Sequence, residues 1–145
     1  MTTLANDLVW RSDAGPIATL TLNRPDKGNA LSEAMLAALS ERIIEVDRDD
    51  GVRVVVLAAN GKIFCGGHDL AEMRAHEDQG YFEDLFARCT RMMLSIRQSR
   101  KPFIARVQGA AVAAGCQLVA TCDLAYAADT ARFGVNGINL GLFCS

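Results

Sequence analysis

The chain has 145 residues, of which 50% are hydrophobic and 22% charged, ordinary proportions for one soluble globular domain over residues 1–145. Its net charge of −2 offers no basic surface, so nucleic acid is not an expected partner. The longest uncharged apolar run, 107–122, is shorter than the roughly 20 residues of a membrane helix, so no membrane association is expected. Residues 1–10 lack the layout of a signal peptide, and we therefore expect a cytoplasmic protein.

The cysteines do not suggest a metal site or a disulfide framework. They form an odd set without a CxxC pair or a neighbouring histidine cluster: Cys65, Cys89, Cys116, Cys122 and Cys144. Most of them lie among apolar or small residues, where a free cysteine behaves as a small buried hydrophobe. Reduced thiols and no bound metal are the expectation.

The first part of the chain predicts a β-hairpin followed by a strand–helix–strand unit. The predicted elements are strands at 7–11 and 17–22 around a turn at 12–16, a loop at 23–29, a helix at 32–47 and a strand at 52–59. Ser32 is a candidate N-cap, and the apolar residues after it recur at helical spacing. The last strand is almost continuously apolar, which is typical of the centre of a parallel sheet. The loop carries Arg24 and Lys27 and is either a solvated turn or a phosphate-contacting loop.

The second part continues the alternation of strands and helices. It predicts a glycine-bearing loop at 60–70, a short helical or mobile piece at 71–78, a helix at 81–98, strands at 103–107 and 123–128, and an extended piece at 132–134. The loop leaves the carboxyl end of a strand, where open α/β sheets bind ligands. It lacks the GxxxxGK[ST] spacing of a phosphate loop. The apolar stripe of the long helix is typical of core packing.

The stretch 107–123, VQGAAVAAGCQLVATCD, is the most informative part of the sequence. It begins as a strand, passes through small residues, and becomes helix-compatible from about Ala114. A helix that begins there points unpaired N–H groups and a positive dipole end at an approaching anion. From this stretch alone, a small-residue helix buried against a sheet explains the pattern equally well.

Three blocks of sequence together resemble the crotonase superfamily, the enoyl-CoA hydratase/isomerase group. They are LNRPDKGNALS at 22–32, VVLAANGKIFCGGHDLAEM at 55–73 and QGAAVAAGCQLVATCDLAYAADTARFG at 108–134. Their order and spacing fit the family, and the last block is most similar to its enoyl-CoA hydratase domain-containing protein 3 branch. The resemblance implies an α/β fold: a ββα spiral with two roughly perpendicular sheets and surrounding helices, assembled as a homotrimer or a dimer of trimers.

The resemblance also implies a site that acts on an acyl-CoA thioester. Two backbone N–H groups, those of His68 and Ala114, are expected to stabilise a thioester enolate as an oxyanion hole. Coenzyme A enters as part of the substrate, and no permanently bound cofactor is implied. The residues that match the family's coenzyme A surface are Lys27, Gly28, Ala30, Gly66, Gly67, Asp69 and Leu70. Of these, Lys27 is the candidate for a phosphate contact, and an exposed solvated lysine is the alternative.

The sequence departs from the family at both positions where hydratases carry a catalytic glutamate. These positions hold Gln117 and Gly137, and neither side chain exchanges a proton near neutral pH. The alternative to an enzyme is therefore a binding pseudoenzyme without hydratase activity. The His68 side chain either supplies acid–base chemistry or only fills space. Asp69 is expected to cap the next helix or to orient the loop, and Asp123 is expected to be structural.

The end of the sequence is a second departure from the family pattern. Family members continue past GLFCS into further helices, so we expect a truncated chain in which the C-terminal helical part is missing. Phe143 and the apolar residues before it would then lack covering partners, leaving exposed apolar surface or disorder at the end.

Overall fold

The computed structural model describes residues 8–141, which form two sheets with helices against them. The strands are β1 (Val9–Ala14), β2 (Ile17–Leu22), β3 (Val54–Ala59), β4 (Ile63–Cys65), β5 (Phe103–Val107), β6 (Ala110–Val112), β7 (Leu124–Ala127) and β8 (Arg132–Gly134). The helices are α1 (Glu33–Arg48), α2 (Leu70–Arg74), α3 (Gln79–Gln98) and α4 (Ala114–Thr121), with 3-10 turns at Pro25–Lys27 and Asn136–Leu140. The predicted α/β class is confirmed.

A strand–strand–helix unit repeats along the chain and builds both sheets. The units are β1–β2–α1, β3–β4–α2–α3 and β5–β6–α4, and β7–β8 continue the series. The larger sheet has the order β1-β2-β3-β5-β7, and the smaller has the order β4-β6-β8. From β3 onward, the first strand of each unit enters the larger sheet and the second enters the smaller one. Successive units therefore advance both sheets together, as a spiral does.

The predicted hairpin and strand–helix–strand unit are confirmed, with a shift at the first turn. Strands β1 and β2 pair antiparallel from Val9 opposite Leu22 to Ala14 opposite Ile17. Strand β1 continues to Ala14, so only Gly15 and Pro16 connect it to β2. Such a short turn is possible because Gly15 adopts a φ of 57°. The predicted start at position 7 lies outside the described residues.

Helix α1 begins where its predicted N-cap stands. The Ser32 side chain accepts a hydrogen bond from the Met35 N–H at 3.1 Å. The predicted apolar face is buried: Met35, Leu36, Leu39, Ile43 and Val46. Strand β3 then lies between β2 and β5, parallel to both, as its apolar sequence indicates.

Strand β4 was not predicted, because the sequence from 60 to 70 reads as one continuous loop. Three residues are too few for a detectable periodicity, and glycines flank them. The segment is extended because β4 pairs parallel with β6, a partner far away in sequence. The piece at 71–78, predicted to be helical or mobile, contains all of α2 except its first residue, Leu70. It also contains Asp78, the N-cap of α3.

Apolar side chains are exposed toward the end of the described chain. Tyr126 in β7 is 70% exposed and Ile138 in the last 3-10 turn is 69% exposed. Phe143 lies outside the described residues. Within residues 8–141, no helix is long and apolar enough to cross a membrane, and no His, Cys, Asp and Glu side chains cluster as metal ligands. The four cysteines in that range are free, and Cys144 lies outside it.

Candidate functional site

A buried asparagine fixes the loop between β2 and α1. Asn29 is fully buried and has a left-handed backbone at φ 51°. Its Oδ1 accepts a hydrogen bond from the Arg24 N–H at 2.8 Å. Its Nδ2 donates to the carbonyl oxygens of Asn60 at 2.9 Å and Ile63 at 2.8 Å. One side chain therefore ties this loop to the segment that leads into β4. Sequence reasoning missed it, although asparagine is one of the few residue types that readily adopt a left-handed backbone.

The same loop lies beside Gly66 and Gly67, which follow β4, so the two segments that carry the predicted coenzyme A residues are in contact. The Gly66 N–H donates to the Gly28 carbonyl at 2.9 Å, and the Leu31 N–H donates to the Gly67 carbonyl at 2.7 Å. Lys27, on the outer side of the loop, is exposed, whereas Ala30 is buried.

Asp69 ends this segment and has a structural role that was predicted. Its Oδ1 accepts hydrogen bonds from the N–H groups of Ala71 at 3.1 Å and Glu72 at 3.2 Å, which caps α2. Its Oδ2 lies 3.3 Å from the Arg24 guanidinium. The carboxylate therefore joins the start of α2 to the loop before α1. The second predicted structural acid, Asp123, accepts a hydrogen bond from the Phe103 N–H at 2.8 Å.

The His68 N–H points away from α1 because of its peptide geometry. The Gly67 carbonyl points at Leu31, and no described peptide bond is cis. In a trans peptide the C=O and the following N–H point in opposite directions, so the His68 N–H faces the other side of the segment. Gly67 makes this arrangement possible with a φ of 89°, a conformation that costs glycine little.

Ala114 lies on a second loop, which packs against Gly67. Ala114 is the first residue of α4, so its N–H has no acceptor within the helix. The preceding Ala113 has a φ of 49°, which is strained for alanine, and its N–H donates to the Gly134 carbonyl at 2.7 Å. A Cβ placed on Gly67 would lie 3.4 Å from the Ala114 nitrogen and 3.0 Å from the Ala113 Cβ. The two predicted N–H donors therefore lie on loops that touch.

A cavity of about 730 Å³ opens beside these loops. The predicted site residues that line it are Gly66, His68, Leu70, Ala114, Gln117 and Gly137. Helices α2 and α3 supply the opposite wall, with Met73, Phe86, Cys89, Thr90, Met93 and Leu94. The sequence predicted that this face of α3 packs in the core, and the structure shows that it packs in the core and also lines the cavity. The other predicted residues, Lys27, Gly28, Ala30, Gly67 and Asp69, lie outside the cavity lining.

The cavity wall is uncharged over the described part of the chain. Two residues at the family's glutamate positions line the cavity: Gln117 in α4 and Gly137 in the last 3-10 turn. Asn136 also lines it, and no Asp, Glu, Lys or Arg does so among residues 8–141. The amide side chains of Gln117 and Asn136 can donate and accept hydrogen bonds but cannot transfer a proton near neutral pH.

Burial shifts the pKa of each titratable side chain on the wall in the direction that favours its neutral form. Burial lowers the pKa of the His68 imidazole, and a hydrogen bond with the Leu31 backbone opposes part of the effect. Its ring meets Phe86 edge-on at 5.3 Å, and its Nδ1 is buried without a hydrogen-bond partner among the described residues. Burial also raises the pKa of the Cys89 thiol to about 11. Both groups indicate surroundings that disfavour charge.

Comparison with known proteins identifies relatives over almost the whole chain. A family model described as enoyl-CoA hydratase/isomerase matches residues 12–145. The human mitochondrial enoyl-CoA hydratase domain-containing protein 3 is 43% identical over 129 residues, covering 89% of this chain and 43% of that protein. The crystal structure of an enoyl-CoA hydratase from Mycobacterium smegmatis is 60% identical with a TM-score of 0.92, over 95% of this chain and 54% of the other. The Escherichia coli (strain K12) 2,3-dehydroadipyl-CoA hydratase is 38% identical over 128 residues, covering 87% of this chain and 48% of that protein.

The relatives overturn the expectation of a cytoplasmic protein. Proteins of the enoyl-CoA hydratase domain-containing protein 3 branch from five vertebrates are named as mitochondrial. The cytoplasmic prediction, which depended on composition and on residues 1–10, was wrong. The composition of a folded domain reflects its core and surface and does not record its compartment.

The matches confirm the crotonase-like fold and the resemblance to that branch. The chain spans about half the length of the curated relatives and solved structures that it matches. The repeated strand–strand–helix units, the paired sheets and the three sequence blocks agree with this match. The chain therefore belongs to the enoyl-CoA hydratase/isomerase family.

Proposed function

We propose that this chain binds an acyl-CoA thioester and stabilises its enolate with the backbone N–H groups of His68 and Ala114. The observation that carries the proposal is the meeting of two loops, each of which presents an N–H just after a residue with positive φ. Strained backbone is concentrated at functional sites, and here the strained residue, Ala113, directly precedes the Ala114 donor. Both donor residues also line the large cavity.

The chemistry requires only backbone atoms from these two residues. When a proton leaves the carbon next to a thioester carbonyl, negative charge moves to the carbonyl oxygen. Each preorganised N–H donor is typically worth about 2.7–4 kcal/mol of stabilisation of that charge. The donor at Ala114 also has the positive end of the α4 dipole behind it. Alanine at this position is compatible with the role, because the donor is the main chain.

Coenzyme A would lie along the loop before α1 and the segment after β4. Gly28, Ala30, Gly66, Gly67, Asp69 and Leu70 belong to these two connected segments, and Lys27 is an exposed cation on the first of them. An exposed ammonium contacts a phosphate at little desolvation cost. Coenzyme A is then part of the substrate, and no permanently bound cofactor is proposed.

A second candidate function is thioester binding without hydration. The uncharged cavity wall favours it, because adding water across a double bond needs groups that exchange protons. Gln117 and Gly137 offer none, and burial disfavours the protonated form of His68.

We further propose that the protein assembles as a homotrimer or a dimer of trimers, which the molar mass measured by light scattering would test.

Calorimetric titration with butyryl-CoA, together with a crotonyl-CoA hydration assay, separates the two candidates. Binding with turnover above that of a His68→Pro variant, which lacks the N–H, supports catalysis that uses the oxyanion hole. Binding without turnover supports the second candidate, and a gain of hydration in the Gln117→Glu/Gly137→Glu variant would strengthen it. Absence of acyl-CoA binding would contradict both.

Lys27→Ala should weaken binding of coenzyme A. Lys62→Ala is the matched surface control, because Lys62 is also exposed.

A further inference from the structure

The wall of the cavity that α2 and α3 supply is apolar apart from Thr90. Met73 on α2 and Cys89 and Met93 on α3 are almost completely buried behind it. Methionine side chains have three rotatable bonds and adapt to apolar groups of irregular shape. Phe86 closes the same wall and contacts the His68 ring. A chain of CH₂ groups would fit such a surface.

The rim of the cavity is apolar as well. Leu70, Phe86, Leu94 and Leu140 line the cavity and remain exposed to solvent by 38%, 42%, 47% and 58%. A group of large exposed apolar side chains marks a surface that binds an apolar partner. Within residues 8–141, the wall offers no cation that could pair with an anionic ligand group. Burial lowers the pKa of His68 and raises the pKa of Cys89, so the same surroundings would penalise a carboxylate.

From this lining we infer that the cavity selects acyl chains with an uncharged apolar end over chains of equal length that end in a carboxylate. The inference rests on the proposed function, since it assumes that a coenzyme A thioester places its acyl group in this cavity. It adds a substrate class: neutral, flexible acyl groups. The residues that set this selectivity are Met73, Phe86, Met93 and Leu94.

Hexanoyl-CoA and adipyl-CoA are matched probes, because both acyl groups have six carbons and only adipyl ends in a carboxylate. Calorimetric titration of the 145-residue chain should give a dissociation constant at least about tenfold higher for adipyl-CoA. Equal affinity, or tighter binding of adipyl-CoA, would overturn the inference and leave the proposed function standing. If neither thioester binds, both the proposed function and the inference fail.

A cation placed on the rim should reverse the selectivity. Leu94 is 47% exposed, so a Leu94→Arg variant should fold and should strengthen adipyl-CoA binding relative to hexanoyl-CoA. Ile44→Arg is the matched control, because Ile44 is also a helical residue that is 47% exposed and does not line this cavity. Its affinity ratio should equal that of the unmodified chain. An unchanged ratio in a folded Leu94→Arg variant would contradict the assignment of this wall to the acyl end. If that variant fails to fold, the comparison of the two thioesters on the unmodified chain still decides the matter.

Discussion

The contact of α4 with β4 holds the two donor loops together, and replacement of Gly115 by alanine tests it. A Cβ on Gly115 would lie 2.2 Å from the Cys65 carbonyl oxygen and 2.7 Å from the carbonyl carbon. These are backbone atoms of β4, so they cannot turn aside as a side chain can. The added methyl group must push α4 away from the strand that leads to His68.

The size of the effect follows from two opposing contributions. An alanine in a helix is favoured over glycine by about 1 kcal/mol. Overpacking a tight contact typically costs about 1–3 kcal/mol, and a backbone collision belongs at the upper end. The Gly115→Ala variant should therefore lose about 2 kcal/mol of unfolding free energy, which corresponds to roughly 4–8 °C in Tm for a chain of this size.

Urea unfolding followed by circular dichroism measures this change, and Gly80→Ala is the matched control. Gly80 is also helical, but a Cβ there would meet only the Asp78 carboxylate oxygen, at 3.0 Å, the end of a side chain that can move. The control keeps the helix-propensity gain without a backbone collision, so it should be as stable as the unmodified chain or more stable by up to about 1 kcal/mol. Acyl-CoA affinity should fall in Gly115→Ala alone. A Gly115→Ala variant as stable as the unmodified chain would refute the close contact of α4 with β4.

Three further predictions follow from the contacts around the site. The Asn29→Ala variant should lose about 3 kcal/mol in urea unfolding, because it removes three hydrogen bonds at a left-handed backbone position; a loss below about 1 kcal/mol would contradict the role given to this side chain. The His68 pKa is lowered in the folded chain, so the unfolded chain binds the proton more readily and the stability that His68 contributes is lost as the pH falls below about 6.5. Unfolding measured at about pH 7.5 and about pH 5.5 should therefore differ less for His68→Gln than for the unmodified chain, and an equal difference would count against burial of the neutral ring. Burial raises the pKa of Cys65 and Cys122 to about 12, so in a Cys144→Ser background iodoacetamide should modify the partly exposed Cys116 before these two; mass spectrometry that finds Cys65 or Cys122 modified first would contradict their burial.

The sequence predicted the elements whose signals are local. The α1 N-cap at Ser32 and the continuous apolar run of β3 depend on neighbouring residues, and both were found as expected. The start of α4 at Ala114 was also predicted, because small residues before an apolar helix mark such a transition. The departures at Gln117 and Gly137 follow from the family resemblance, which identifies the positions of the two glutamates.

The features that sequence reasoning missed depend on partners far away along the chain. Strand β4 is extended only because β6 pairs with it, and three residues carry no periodicity of their own. Two of the three hydrogen bonds of the Asn29 side chain join it to residues more than thirty positions away. The strain at Ala113 could not be predicted either, since alanine usually avoids positive φ and here the hydrogen bond to Gly134 holds it.

A crystal structure of the chain with a bound acyl-CoA would test the central claim most directly. The two distances to measure join the thioester carbonyl oxygen to the backbone nitrogens of His68 and Ala114. The proposed oxyanion hole predicts that both fall within about 2.7–3.1 Å. A carbonyl oxygen that contacts only one nitrogen, or neither, would contradict the account.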